Sequence, residues 1–254
     1  MLTQRLLRAS ILGFGLSVAV LSVAAPSDVI DGPLIRPAVS SSDPRDLSGV
    51  WFIRLYAQVV QINSTLGRLP PFTERGRAEW EARVKAEQDG SPIADAASHC
   101  WPHGVPRVMS SPYPIQIIQT AGKITLVHEV AHNIRHIYMD QPHPQTISAT
   151  FMGDSVGHWE GDTLIIDTIG LNDRTSIDEV GVIHGRQLHV IERIRKIEDG
   201  RALEDLIRIE DPEFFTEPWY ARLTYAWRPD LRLSEYICEE NNRNNPVDGR
   251  TVAK

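Results

Sequence analysis

Residues Lys123–Asp140 read KITLVHEVAHNIRHIYMD, and whether this stretch is strand or helix decides the fold. Its Ile, Val, Thr and Tyr content suits pleated backbone. In a strand, alternate residues fall on opposite faces. One face then carries Ile124, Leu126, His128, Val130, His132, Ile134, His136 and Tyr138. The other carries Thr125, Val127, Glu129, Ala131, Asn133, Arg135, Ile137 and Met139. Read as helix, His128-Glu129-Val130-Ala131-His132 matches H-E-x-x-H. That spacing stacks two zinc-ligating histidines one turn apart, with the glutamate as general base. Gly122 precedes at a hairpin-like interval and no later glycine-histidine pattern completes a zinc-protease site. The strand takes precedence, with zinc on His128 and His132 as the alternative. A β-bulge in so long a strand would swap the faces.

Working outward, further strands are expected at Asp46–Tyr56, Ile115–Thr120, Thr146–Met152, Thr163–Ile169, Gln187–Ile197, Ala202–Ile209, Trp219–Trp227 and Leu231–Ile237. Tight turns such as Ala121-Gly122-Lys123, Glu160-Gly161-Asp162 and Arg228-Pro229-Asp230 join them. Short strands with hairpin connections predict an all-β antiparallel meander. Closure into a barrel removes its exposed edges. One long helix is expected, capped by Thr73, running to about Gln88 and stopped near Gly90. The expected organisation is a single barrel domain over 46–243 with a C-terminal tail, 244–254.

The N-terminus has the three parts of an export signal. Arg5 and Arg8 are followed by an apolar run, Ile11–Val23, and by small residues that place cleavage near Ala24–Ala25. The run is shorter than the ~20 apolar residues of a membrane span, so no stable membrane insertion is expected after cleavage. Residues 25–45 read as a linker. The expected location is periplasmic or secreted. There the two cysteines of the chain, Cys100 and Cys238, are expected to form a disulfide. The 254 residues carry a formal charge of -7, which argues against nucleic acid as a partner.

Gly49-Val50-Trp51 looks like the Gly-x-Trp signature that opens lipocalin and other calycin barrels. The resemblance implies that Trp51 closes one barrel end against an arginine from a late strand: Arg222, Arg228 or Arg232. A longer likeness covers about 46–243. It is carried by Pro106-Arg107-Val108-Met109, Pro112-Tyr113-Pro114, His143-Pro144, Gly157-His158-Trp159-Glu160-Gly161-Asp162-Thr163-Leu164 and Cys238-Glu239-Glu240-Asn241-Asn242-Arg243. These segments resemble a large family of exported, mostly uncharacterised bacterial proteins, a resemblance that implies no particular activity.

If the histidine face lines a barrel cavity, it sets titratable imidazoles beside apolar walls, an arrangement suited to proton transfer near neutral pH. His128, His132, His136 and Tyr138 are therefore the candidate catalytic residues. Arg107, from an irregular loop able to cover the mouth, joins them as an oxyanion or carboxylate clamp. Glu129 and Arg135 are expected to pair on the surface. Tyr113, Trp159, His189 and Trp227 are candidate ligand contacts. Phosphate loops, nucleophile elbows and dinucleotide fingerprints are absent from the sequence. The expectation is a cofactor-independent lyase, isomerase or hydratase acting on a small apolar or aromatic molecule. A non-catalytic carrier of a similar ligand is the alternative, and a zinc hydrolase the third reading.

Overall fold

Strand β1, Gly49–Ile53, pairs on one side with β2, Ile115–Thr120, and on the other with β9, Trp219–Trp227. This double pairing closes a barrel in which β1 to β9 follow one another in sequence order. The structure, a computed structural model, describes residues 41–54, 69–90, 95–178 and 181–241. By contact, the described residues all belong to one unit. The expected export signal, residues 25–40 of the expected linker and the tail 244–254 lie outside the described residues.

The intervening strands are β3 (Lys123–His128), β4 (Ile134–Met139), β5 (Asp154–Glu160), β6 (Thr163–Ile169), β7 (His189–Ile197) and β8 (Ala202–Glu210). The expected all-antiparallel pattern fails at one seam. β4 and β5 run parallel, with Ile137 opposite Ser155 and Met139 opposite Gly157. Parallel neighbours need a crossover, and residues 140–153 supply it. The expected strand Thr146–Met152 lies in that crossover, where Thr150 makes only an isolated bridge to Leu171. The expected strand Leu231–Ile237 has no ladder partner, and it ends at the short helix α2, Cys238–Asn241.

The helix α1, Glu74–Gln88, starts where its cap predicts: Thr73 Oγ1 accepts from Gly76 N at 3.1 Å. Among the described residues no helix is long and apolar enough to cross a membrane.

Inward positions are filled by side chains. Trp51, Ile117, Leu126, Ile137, Leu164, Ile166, Ile194, Leu203, Ile207 and Leu223 are all buried in one core. A void of about 10 Å³ remains between Trp51, Met109, Leu126, Ile194, Leu203 and Tyr225, which is room for roughly one water.

Trp51 is buried in the core, with its indole N–H on Leu47 O at 2.9 Å. Its ring partner is Trp227, edge-on at 5.0 Å, rather than an arginine. Arg222 pairs with Glu204, Arg228 with Asp230, and Arg232 is exposed. Gly49 sits at φ 137°, and a Cβ there would land on the Trp227 ring. Gly49→Ala should therefore cost about 1–3 kcal/mol through overpacking and strain, read as a lower urea midpoint. An unchanged midpoint would mean that the ring can move aside.

Candidate functional site

The expected strand Ile124–Met139 is two strands joined by a turn over Glu129–Asn133. Ala131 and His132 adopt φ of 51° and 49°, in the left-handed region, and His128 N closes the loop on Asn133 O at 2.8 Å. The loop shifts the alternation by one. Ile124, Leu126 and His128 point into the barrel from β3, but Arg135 and Ile137 do so from β4. The common histidine face is therefore lost. His128 is buried, whereas His132, His136 and Tyr138 are exposed. His136 Nδ1 lies 3.2 Å from Thr125 Oγ1 on the outer face.

The same turn explains HEVAH without a metal. Glu129 Oε2 accepts Ser234 N at 2.6 Å, and His132 Nε2 accepts Tyr236 N at 3.2 Å. The two side chains clamp the segment that runs to Cys238. His128 and His132 are not one helical turn apart on a shared face, so the geometry required by the zinc alternative is absent. Tyr113 meets Tyr236 edge-on at 5.3 Å, and Cys238 is bonded to Cys100 as expected. The C-terminal segment thus straps the loop that corks the barrel mouth, residues 103–114.

Arg107 belongs to that cork and does not face an open mouth. It is 4% exposed, salt-bridged to Asp95 and within 3.3 Å of Ser176 Oγ. His103, in the same loop, bonds Ser111 Oγ at 3.0 Å, and burial drives its pKa down to about 4. Trp159 is half-buried on β5, near Arg45, and Trp227 packs against Trp51. Neither lines the cavities walled by the described residues.

Beneath the cork lies a charged network. Arg135 and Glu192 form a buried ion pair, with Arg135 Nη1 3.0 Å from Glu192 Oε1. Arg135 also donates to Ser155 Oγ at 3.1 Å and Thr168 Oγ1 at 2.8 Å. Asp205 is fully buried, and neither of its carboxylate oxygens has a hydrogen-bond partner. Burial and the nearby Glu192 charge push its pKa well up. His128 likewise has no partner on either ring nitrogen, and burial lowers its pKa to about 3. Tyr225 Oη donates to Met109 O at 2.8 Å. The expected surface pair of Glu129 and Arg135 is thus replaced by two separate roles, one in the strap and one in the lumen.

Open space lies outside the barrel. A cleft lobe of about 440 Å³ is walled by α1 residues Arg75, Glu79 and Arg83 and by Thr175, Ile183, His184 and Phe214. A second lobe of about 370 Å³ is walled by His189, Glu210, Phe215 and Pro218. Gln187 lines both. His184 is 3% exposed, with Nδ1 2.9 Å from Gly185 O and Nε2 3.0 Å from Thr175 Oγ1. A ring nitrogen facing a carbonyl carries the proton, so Nε2 is the acceptor of the threonine hydroxyl. Burial lowers the His184 pKa. His189 Nε2 lies 2.7 Å from Asp167 Oδ1, and Nδ1 lies 2.9 Å from Glu210 Oε1. The Asp167 bond, opposed by partial burial, raises the His189 pKa. The chain of contacts continues through Asp167 to His143 and Asp154, and through Glu210 to Arg208.

Of the residues expected to matter, the cleft contains His189 alone. His184 and Thr175 give little signal in sequence, because residues 171–188 have no strand or helix period. Comparison with protein-family models and with curated proteins finds no match.

Proposed function

We propose that the protein is a cofactor-independent enzyme performing acid–base chemistry of the lyase, isomerase or hydratase type. Its substrate is a small apolar or aromatic molecule bound in the two-lobed cleft. One observation carries this reading: His184 and His189, five residues apart, line neighbouring pockets that share Gln187, and their surroundings drive their pKa values in opposite directions. Groups separated in this way divide into base and acid. His184 is the neutral base and His189 the imidazolium acid. Phe214, Phe215, Pro212 and Pro218 provide apolar wall.

The sign of the pH dependence follows. Activity rises as pH climbs through the lowered His184 value, where the base loses its proton. It falls as pH climbs through the raised His189 value, where the acid is spent. Purified protein is incubated with a library of small aromatic and unsaturated compounds, and turnover is read by mass spectrometry. His184→Gln and His189→Gln should each lower kcat/KM by about 10²–10⁴-fold. Turnover that both variants retain would overturn the reading.

A non-catalytic carrier is the second reading. It is favoured by the occupation of all four ring nitrogens, His184 by Thr175 and Gly185 and His189 by two carboxylates. Library compounds that bind without turnover would select it. Three features support export: the N-terminal signal pattern, the Cys100–Cys238 disulfide and the resemblance of residues 46–243 to an exported family. The Gly49-Val50-Trp51 opening and the closed barrel support a calycin-like reading. The net charge of -7 favours a small molecule over nucleic acid as partner.

A further inference from the structure

We infer that Thr175 is a nucleophile activated by His184, and that the larger lobe of the cleft accepts an acyl donor such as an activated ester. The inference shares His184 with the function proposed above but does not depend on His189. Two contacts and a shared placement carry it. Thr175 Oγ1 is 3.0 Å from His184 Nε2, the imidazole is oriented by Gly185 O at 2.9 Å, and both side chains line the 440 Å³ lobe. A hydroxyl within hydrogen-bond reach of a base, itself held by a third group, is the arrangement by which a weak nucleophile is activated. Arg83 and Arg186 stand on the same lobe, Arg186 paired with Asp173 at 3.2 Å.

The step balances without a cofactor. Thr175 Oγ1 attacks the carbonyl carbon while its proton passes to His184 Nε2. The bond from that carbon to the leaving oxygen breaks, and the leaving group departs as an alcohol with the proton from His184, or as an anion, in which case His184 gives its proton to solvent before the next step. Water then attacks the threonyl ester, giving up a proton to His184. Breakdown returns the hydroxyl proton to Thr175 and releases the carboxylic acid. Burial lowers the His184 pKa against the opposing pull of Gly185 O, Asp211 and Asp173, so acylation should lose its base at a lower pH than it would with a surface histidine.

The test uses the full chain and p-nitrophenyl acetate. The expected result is a burst of p-nitrophenol with an acetyl group on the peptide containing Thr175. Thr175→Val should abolish that adduct and Thr175→Ser should retain it. His184→Gln should slow acylation by about 10²–10⁴-fold. Circular dichroism checks that each variant folds. If Thr175→Val does not fold, the site of the adduct in the wild-type protein decides. Acetylation confined to lysines or the N-terminus overturns the nucleophile. The acid–base function is scored separately, by turnover in the compound library, so either can fail alone.

Discussion

Replacing Arg135 with methionine should lower stability by about 3–5 kcal/mol at pH 7. The guanidinium sits inside the barrel at 1% exposure, and Glu192 beside it is 0% exposed. Removing the arginine leaves a buried carboxylate with Asp205 as its neighbour and no counter-charge. The cost comes from the stranded partner rather than from the worth of the pair. The double variant Arg135→Met, Glu192→Leu should therefore recover most of the loss, and it can exceed the parent by about 1–4 kcal/mol. Urea melts of the three proteins and the parent decide the matter. A single variant within about 1 kcal/mol of the parent would show that water reaches Glu192.

Breaking Cys100–Cys238 should cost about 3–5 kcal/mol, because the bond closes a loop of 138 residues' separation and so constrains the unfolded chain. Cys100→Ser and Cys238→Ser should each lower Tm, and the double variant should match either single one. Reducing the parent with dithiothreitol should bring it to the same Tm. The native contacts set a lower limit on what remains of the strap, since Glu129, His132 and Tyr113 still hold residues 234–236. Equal Tm for parent and variants would remove the disulfide from the stability of the fold.

Much of the barrel is legible from alternation and turns. Ile115–Thr120, Thr163–Ile169 and Trp219–Trp227 coincide with their strands, and Thr73 caps its helix. The Glu129–Asn133 turn is not legible, because it places Ala131 and His132 at positive φ where glycine or asparagine would normally signal it. That single turn reverses which of His136 and Arg135 faces inward. β5 is hidden for another reason: in DSVGHWE the inward positions are Ser155 and Gly157, which leave no apolar period. Arg135, Glu192 and Asp205 obey strand alternation, but their charge argues for the surface. The cleft comes from long-range packing of α1 against residues 171–188 and 211–218, which no local pattern encodes.

Barrel closure also sets an order of assembly. Trp51 must meet Trp227, so the first strand to leave the ribosome can be completed only after the ninth has been made. Until then β1 keeps an open edge, and the chain must search for a contact between its two ends. Such long-range pairing slows folding and leaves partly formed sheet exposed to aggregation. A circular permutant that joins the ends of the barrel and opens the crossover at residues 140–153 would make that pairing local, and it should fold faster than the natural chain order.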